Sequence, residues 1–249
     1  MESLRQSTLL KIYHKLFDFF GPQHWWPGET RCEIIVGAIL TQNTNWGNVQ
    51  KALNNLKEAH VLDFRSLKEI PTKRLAALIR SAGYFNVKAE RLKNFVDFLF
   101  KEYGGHLPRM AREELDVLRV KLLSVKGVGP ETADSILLYA FQKPSFVVDA
   151  YTKRIFYRHN WLEGQDYHET KHLFEQGLAP DQKLFNEYHA LIVRLGKEFC
   201  KPTPVCAECP LRGFHYDLKN KCSVCHRALN YITKGKGRAG HLLRCNQCA

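Results

Sequence analysis

The chain has 249 residues, 45% of them apolar, and a formal net charge of +12, with an isoelectric point of about 9.3. That length fits one large or two small domains, and the apolar share excludes a chain too polar to bury a core. No apolar run approaches the length of a membrane span, and the positive charge points to a polyanionic partner.

Helical spacing of apolar residues predicts a helix over 4–20, stopped by Gly21-Pro22. A second is expected over 29–41, where Ile34, Ile35, Ala38 and Ile39 leave little polar face, so it should be a buried central helix. Cys32 stands alone in that run and reads as core packing. Further helices are expected over 46–59, 72–82, 87–103 and 112–125, with Pro71, Gly83 and Gly104-Gly105 as breakers between them. After residue 149 come helices over 150–159, 167–177 and 182–199. No strand alternation persists except near the C-terminus, and there is no internal repeat. The organisation expected is an all-α domain over 1–199 followed by a cysteine-rich appendix.

The most informative stretch is 122–140, LLSVKGVGPETADSILLYA, with Asp149 nine residues beyond it. Gly127 and Gly129 separate two apolar, helix-like runs, a hairpin so tight that positive φ and close backbone approach call for glycine. Its bare N–H groups would face outward at the start of the second helix, where the dipole favours an anion such as phosphate. Asp149 ends the short apolar run Phe146-Val147-Val148.

Lys126-Gly127-Val128-Gly129, Thr132-Ala133-Asp134 and Val148-Asp149 together resemble the helix-hairpin-helix DNA glycosylases of the endonuclease III superfamily, over roughly residues 30–210. The resemblance implies a two-lobed helical fold, Lys126, Gly127, Val128 and Gly129 on a DNA backbone, and a monovalent cation on the hairpin carbonyls. It also implies double-stranded DNA with a damaged base as partner. The nucleotide would be flipped from the stack at a cost of a few kcal/mol. Asp149, ionised, would stabilise oxocarbenium character at C1′ and align or deprotonate a water. Lyases of this superfamily carry a lysine two residues after the second hairpin glycine, which attacks C1′ and forms a Schiff base. Here that position is Glu131. Water is therefore the expected nucleophile, with Lys126 and Lys153 as substitutes to be tested.

Trp25-Trp26-Pro27, then Leu40-Thr41-Gln42-Asn43-Thr44, then Trp46 resembles the 3-methyladenine DNA glycosylase III branch. Tryptophan faces attract cationic, electron-poor rings, which suits an N-alkylated purine. Trp25 and Trp46 are the leading pocket walls, with Trp26 and Pro27 beside them; core packing is the plainer reading of each tryptophan. Resemblance also places Gln42 at the gap left by the flipped base, where its amide could pair with the orphaned partner. Gly83-Tyr84-Phe85-Asn86 could add a wedge at the start of the next helix.

Seven of the eight cysteines lie after Phe199. A chain without a signal-peptide core in MESLRQSTLL is expected inside the cell, cytoplasmic and nucleoid-associated if prokaryotic, where such cysteines serve metals. Cys200-x5-Cys206-x2-Cys209 stands where endonuclease III relatives carry a [4Fe–4S] loop, with the first gap one residue short and His215 at the fourth position. The fourth ligand is His215 or Cys222, and a zinc site on three cysteines and His215 is the rival. Cys222-x2-Cys225 and Cys245-x2-Cys248 fit a zinc ribbon. The loop is assigned to 200–215 and the ribbon to 216–249. The last 53 residues carry ten Lys/Arg and three Asp/Glu, so +7 of the charge lies there.

The function expected is that of a monomeric, monofunctional DNA N-glycosylase for alkylated purines. Endonuclease III-like chemistry on oxidised or mismatched pyrimidines and a non-catalytic DNA-binding module are the alternatives.

Overall fold

The computed structural model describes residues 6–25, 28–159, 161–162, 166–214, 230–232 and 242–244. In chain order the first helices are α1 (Gln6–Phe20), α2 (Arg31–Leu40), α3 (Trp46–Glu58), α4 (Phe64–Glu69), α5 (Thr72–Leu78) and α6 (Phe85–Tyr103). They are followed by α7 (Leu107–Ala111), α8 (Leu115–Leu123), α9 (Pro130–Ser135), α10 (Ala150–Arg158), α11 (Tyr167–Gly177) and α12 (Gln182–Glu198). A two-stranded antiparallel hairpin, β1 (Asn230–Ile232) and β2 (Leu242–Arg244), pairs Tyr231 with Leu243. Among the described residues no helix is long and apolar enough to cross a membrane.

The chain divides into two compact units. The middle unit is His24–Val147 with Pro180–Glu187; the terminal unit is Met1–Gln23, Val148–Ala179 and Tyr188–Ala249.

In the middle unit α2 is the buried helix its composition predicts, with Ile34, Ile35, Val36, Ile39 and Leu40 out of solvent. Each such side chain contributes about 1.5–3 kcal/mol by burial. Thr30 caps it, its hydroxyl accepting from the Glu33 N–H at 3.1 Å. The end of α2 is tied to α6 by Lys88, which is 1% exposed. Its Nζ donates to the carbonyls of Leu40 (2.9 Å) and Ala82 (2.6 Å), so a cation meets two helix C-terminal ends. Burial, and then the nearby Arg91, hold its pKa below the ordinary lysine range.

Several boundaries differ from expectation. The run over 72–82 breaks into α5 and a 3-10 turn, Arg80–Ala82. Helix α6 begins two residues early, because Tyr84 takes a left-handed conformation with φ +45° and starts the turn. Helices α4 and α7 were not expected. Beyond α9 the helix continues as a π turn, Ile136–Ala140, with the Phe141 N–H reaching the Ile136 carbonyl at 3.2 Å.

The terminal unit packs Leu9, Ile12 and Leu16 of α1 with Phe156, Phe174 and Tyr188 in one core. The Tyr188 hydroxyl donates to the Leu9 carbonyl at 2.9 Å. Gly196 lets α12 lie close to α10, since a Cβ there would overlap the Tyr151 ring. Arg154 secures that approach, donating to the Cys200 carbonyl (2.7 Å) and the Gly196 carbonyl (3.1 Å).

Candidate active site and nucleic-acid interface

The hairpin lies in the middle unit. Val125 and Val128 are buried anchors, with the Val128 N–H on the Val125 carbonyl at 2.9 Å, while Lys126 and Gly129 face solvent. Gly127 has φ +96°, and a Cβ there would collide with the Arg91 side chain, so glycine is required twice over. Gly129 differs from expectation. Its φ of −90° is open to any residue, and a Cβ would meet nothing within 4 Å. The protein itself does not need glycine there; what its absence of side chain leaves bare is the start of α9, which has no side-chain cap.

The two legs of the hairpin are tied by a buried ion pair. Asp134 of α9 is fully buried and takes Arg119 of α8 in a two-point contact, Nε–Oδ1 2.8 Å and Nη2–Oδ2 3.1 Å. The Ser145 hydroxyl also donates to Oδ1 at 2.7 Å. The turn itself is held from α6. Asn94 Nδ2 donates to the Lys126 carbonyl at 3.0 Å. Gln42 Nε2 donates to the Gly127 carbonyl (2.9 Å) and to Thr132 Oγ1 (2.8 Å), and Gln42 Oε1 accepts from Arg91 Nη1. Gln42 is thus engaged with the hairpin. The carbonyls of Lys126 and Gly127 each accept one side-chain N–H, which uses one of the two lone pairs of a carbonyl oxygen.

Asp149 belongs to the terminal unit and is the N-cap of α10. Its Oδ1 accepts from the Thr152 N–H (2.7 Å) and hydroxyl (2.9 Å); its Oδ2 lies 3.6 Å from Nε2 of His189 on α12. The side chain is 13% exposed. Burial pushes the carboxyl pKa up, but the His189 imidazole and the two Thr152 donors outweigh it and hold it below the ordinary carboxylate value. The ionised form of Asp149 is therefore favoured, and the carboxylate is largely shielded from solvent.

Trp46 opens α3 and packs on α2, where a Cβ on Gly37 would come within 3.3 Å of its ring. Trp25 is half-buried; Trp26 and Pro27 lie outside the described residues. Glu33, buried at the start of α2, accepts from the Glu29 N–H at 3.0 Å and pairs with Lys57 at 2.8 Å, which fixes the chain just after the tryptophans. Glu131 is exposed on the first turn of α9. Tyr84 is 68% exposed.

Cys200 is buried, Cys209 half-buried and Cys206 exposed. Cys200 Sγ accepts from Arg158 Nη1 at 3.3 Å. Among the described residues no three His, Cys, Asp or Glu side chains come together as a metal site. His215, Cys222, Cys225, Cys245 and Cys248 lie outside the described residues.

Residues 36–180 match the HhH-GPD superfamily of base excision DNA repair proteins. The chain belongs to that superfamily. A proposed DNA repair glycosylase of Methanocaldococcus jannaschii is 48% identical over 86% of this chain and 98% of its own length. Endonuclease III of Thermotoga maritima is 31% identical over 82% of this chain and 85% of its own. Among solved structures, the Helicobacter pylori 3-methyladenine DNA glycosylase bound to 1,N6-ethenoadenine superposes with a TM-score of 0.68 at 30% identity. It matches 78% of this chain and 98% of that one. As an HhH-GPD DNA glycosylase, the protein is a hydrolase of N-glycosyl bonds.

Sequence reasoning missed Arg91, Asn94, Arg119 and His189, each of which acts on a residue 15 or more positions away with no local motif to mark it, and Thr152, which caps Asp149 from three residues on.

Proposed function

We propose that the protein is a monofunctional DNA glycosylase that removes alkylated purines by water attack, with Asp149 as the essential carboxylate. The observation that carries this reading is the state of Asp149: ionised, capped by Thr152 and backed by His189. A fixed negative charge of that kind stabilises the positive charge that grows at C1′ as the purine leaves. As the C1′–N bond breaks, its electron pair passes to the purine, whose alkyl-derived charge is thereby neutralised. Water adds to C1′, and its proton passes to Asp149. A cationic base is already a good leaving group, so modest catalysis suffices.

Glu131 supports the monofunctional form. It stands on α9 where a lyase would present its amine, and a carboxylate cannot form a Schiff base. The hairpin, with Lys126, Gly127, Val128 and Gly129, is read as the grip on a phosphate of double-stranded DNA; these contacts carry no sequence information. A monovalent cation on the hairpin carbonyls would reinforce that grip. Trp25, Trp26, Pro27 and Trp46 are read as walls of the base pocket, in keeping with the likeness to the 3-methyladenine glycosylase. A [4Fe–4S] cluster on Cys200, Cys206, Cys209 and either His215 or Cys222, and a zinc ion on Cys222, Cys225, Cys245 and Cys248, belong to the same proposal.

The likeness to the Thermotoga endonuclease III supports a second reading, a glycosylase with lyase activity on oxidised or mismatched pyrimidines. Two assays on duplexes that each hold one lesion separate the readings. Release of 3-methyladenine with no borohydride-trapped adduct on an abasic site is expected. Release confined to thymine glycol or a mismatch, with strong trapping, would favour the second reading.

A further inference from the structure

We propose that Arg91 and Gln42 form a brace that presets the hairpin turn for a DNA phosphate, making both of them positioning residues. The inference rests on reading the hairpin as a phosphate grip. Arg91 acts on the turn in two ways. Its aliphatic stem lies against Gly127, where a Cβ would collide with it. Its guanidinium donates to Gln42 Oε1.

The second contact sets the direction of the Gln42 amide. A guanidinium has five donors and no acceptor, so the side of the amide that faces it must be the oxygen. Both amide hydrogens then face the hairpin, one on the Gly127 carbonyl and one on Thr132 Oγ1. Flipped, the amide would set its oxygen against a carbonyl oxygen and its NH2 against a cation. Gln42 thus joins the turn to the first turn of α9, on either side of the bare Gly129.

The brace is backed by further contacts from the same helix. Lys88, Arg91 and Asn94 fall at three-residue intervals on α6, one face of the helix. Lys88 holds the carbonyl of Leu40, two residues before Gln42. Asn94 holds the Lys126 carbonyl. Backbone N–H groups grip an anion more tightly when the turn is preorganised, because ordering it on binding would cost affinity.

Binding to an undamaged duplex, measured by fluorescence anisotropy across a salt series, tests this. Such DNA has no orphaned base, so a Gln42 that served only to fill the flipped-base gap would not matter there. Arg91→Met keeps the stem and drops the guanidinium; this variant and Gln42→Ala are each expected to raise Kd roughly tenfold, the scale of one charge-assisted hydrogen bond. Arg91→Lys, which can still donate to Gln42, is expected to recover part of the loss. The double variant should bind no worse than the weaker single one, because the two act as one device. The slope of log Kd against log salt should stay at the wild-type value, since the groups presented to the phosphate are neutral. Additive losses, or a slope reduced by about one for Arg91→Met, would show a direct phosphate contact and overturn the brace. So would unchanged affinity in Gln42→Ala. Gly129→Asp tests the underlying reading separately: its Cβ has open space, and its carboxylate should repel a phosphate. If Gly129→Asp binds like wild type, the phosphate grip fails and the brace with it. If Gly129→Asp is impaired but Arg91→Met is not, the brace alone fails.

Discussion

A carboxylate that is nearly buried ordinarily becomes a weaker acid, yet Asp149 is held ionised. Burial is opposed by His189 and by two hydrogen bonds from Thr152. The sign of the pH effect follows. A carboxyl whose folded pKa is depressed adds stability that is present above its unfolded value, about 3.9, and lost as pH falls through the folded value. The same group sets the acid limb of base release. With wild type that limb is expected below about pH 3.9, or to be hidden by acid unfolding. His189→Gln removes the largest opposing influence, so the limb should move to higher pH while the plateau near neutrality shifts less. An acid limb that stays in place on this substitution would show that His189 does not govern the charge of Asp149. His189 stands 40 residues from Asp149 and on another helix, and no spacing rule links them. The aspartate was legible in the chain; its partner was not.

At the scale of elements, the hairpin is two helices tied together as much as it is a turn. Arg119 reaches from α8 to Asp134 on α9, and Ser145 adds a third bond. Removing one member of a buried pair leaves the other charged and unsolvated, at a cost of about 3 kcal/mol or more. Arg119→Met is therefore expected to lower stability by about that amount in urea unfolding and to weaken duplex binding along with it. A loss within about 0.5 kcal/mol, the range of ordinary surface substitutions, would mean that the legs are held by apolar packing alone.

The long helices α1, α2, α3, α6, α11 and α12 were readable because each carries several turns of apolar spacing; Thr30, Asn45 and Gly104 stand at an end of α2, α3 and α6. Helices α4 and α7 span 6 and 5 residues, too short for a periodic signal; only the cap at Asp63, which bonds the Arg65 and Ser66 N–H groups, could have marked the first. The glycine turn was visible as a pattern, but its cause was divided. Gly127 is demanded by φ and by Arg91, whereas Gly129 is demanded by nothing inside the protein. The contacts that hold the turn join residues 32 and 85 positions apart, Asn94 with Lys126 and Gln42 with Gly127, which only the folded chain brings together.

For the whole molecule, charge and cysteines carry the remaining expectations. The excess of +12 should make duplex binding strongly salt-dependent. The strands β1 and β2 fall between the two CxxC pairs in sequence, and the proposed ribbon would draw most of its stability from zinc. Elemental analysis of the full-length protein is expected to find iron and zinc together, and chelation of zinc should open residues 216–249 to protease. Purified protein free of both metals, with that segment still resistant, would remove the metal proposal and leave the glycosylase reading intact.

The central claim is that the ionised Asp149 carboxylate drives base release. Asp149→Asn keeps a residue that caps α10 well and removes only the charge, so single-turnover release of 3-methyladenine from methylated duplex compares the two forms most directly. The variant is expected to bind the duplex but to release base about a hundredfold to ten-thousandfold more slowly. Release by Asp149→Asn at the wild-type rate would contradict the claim.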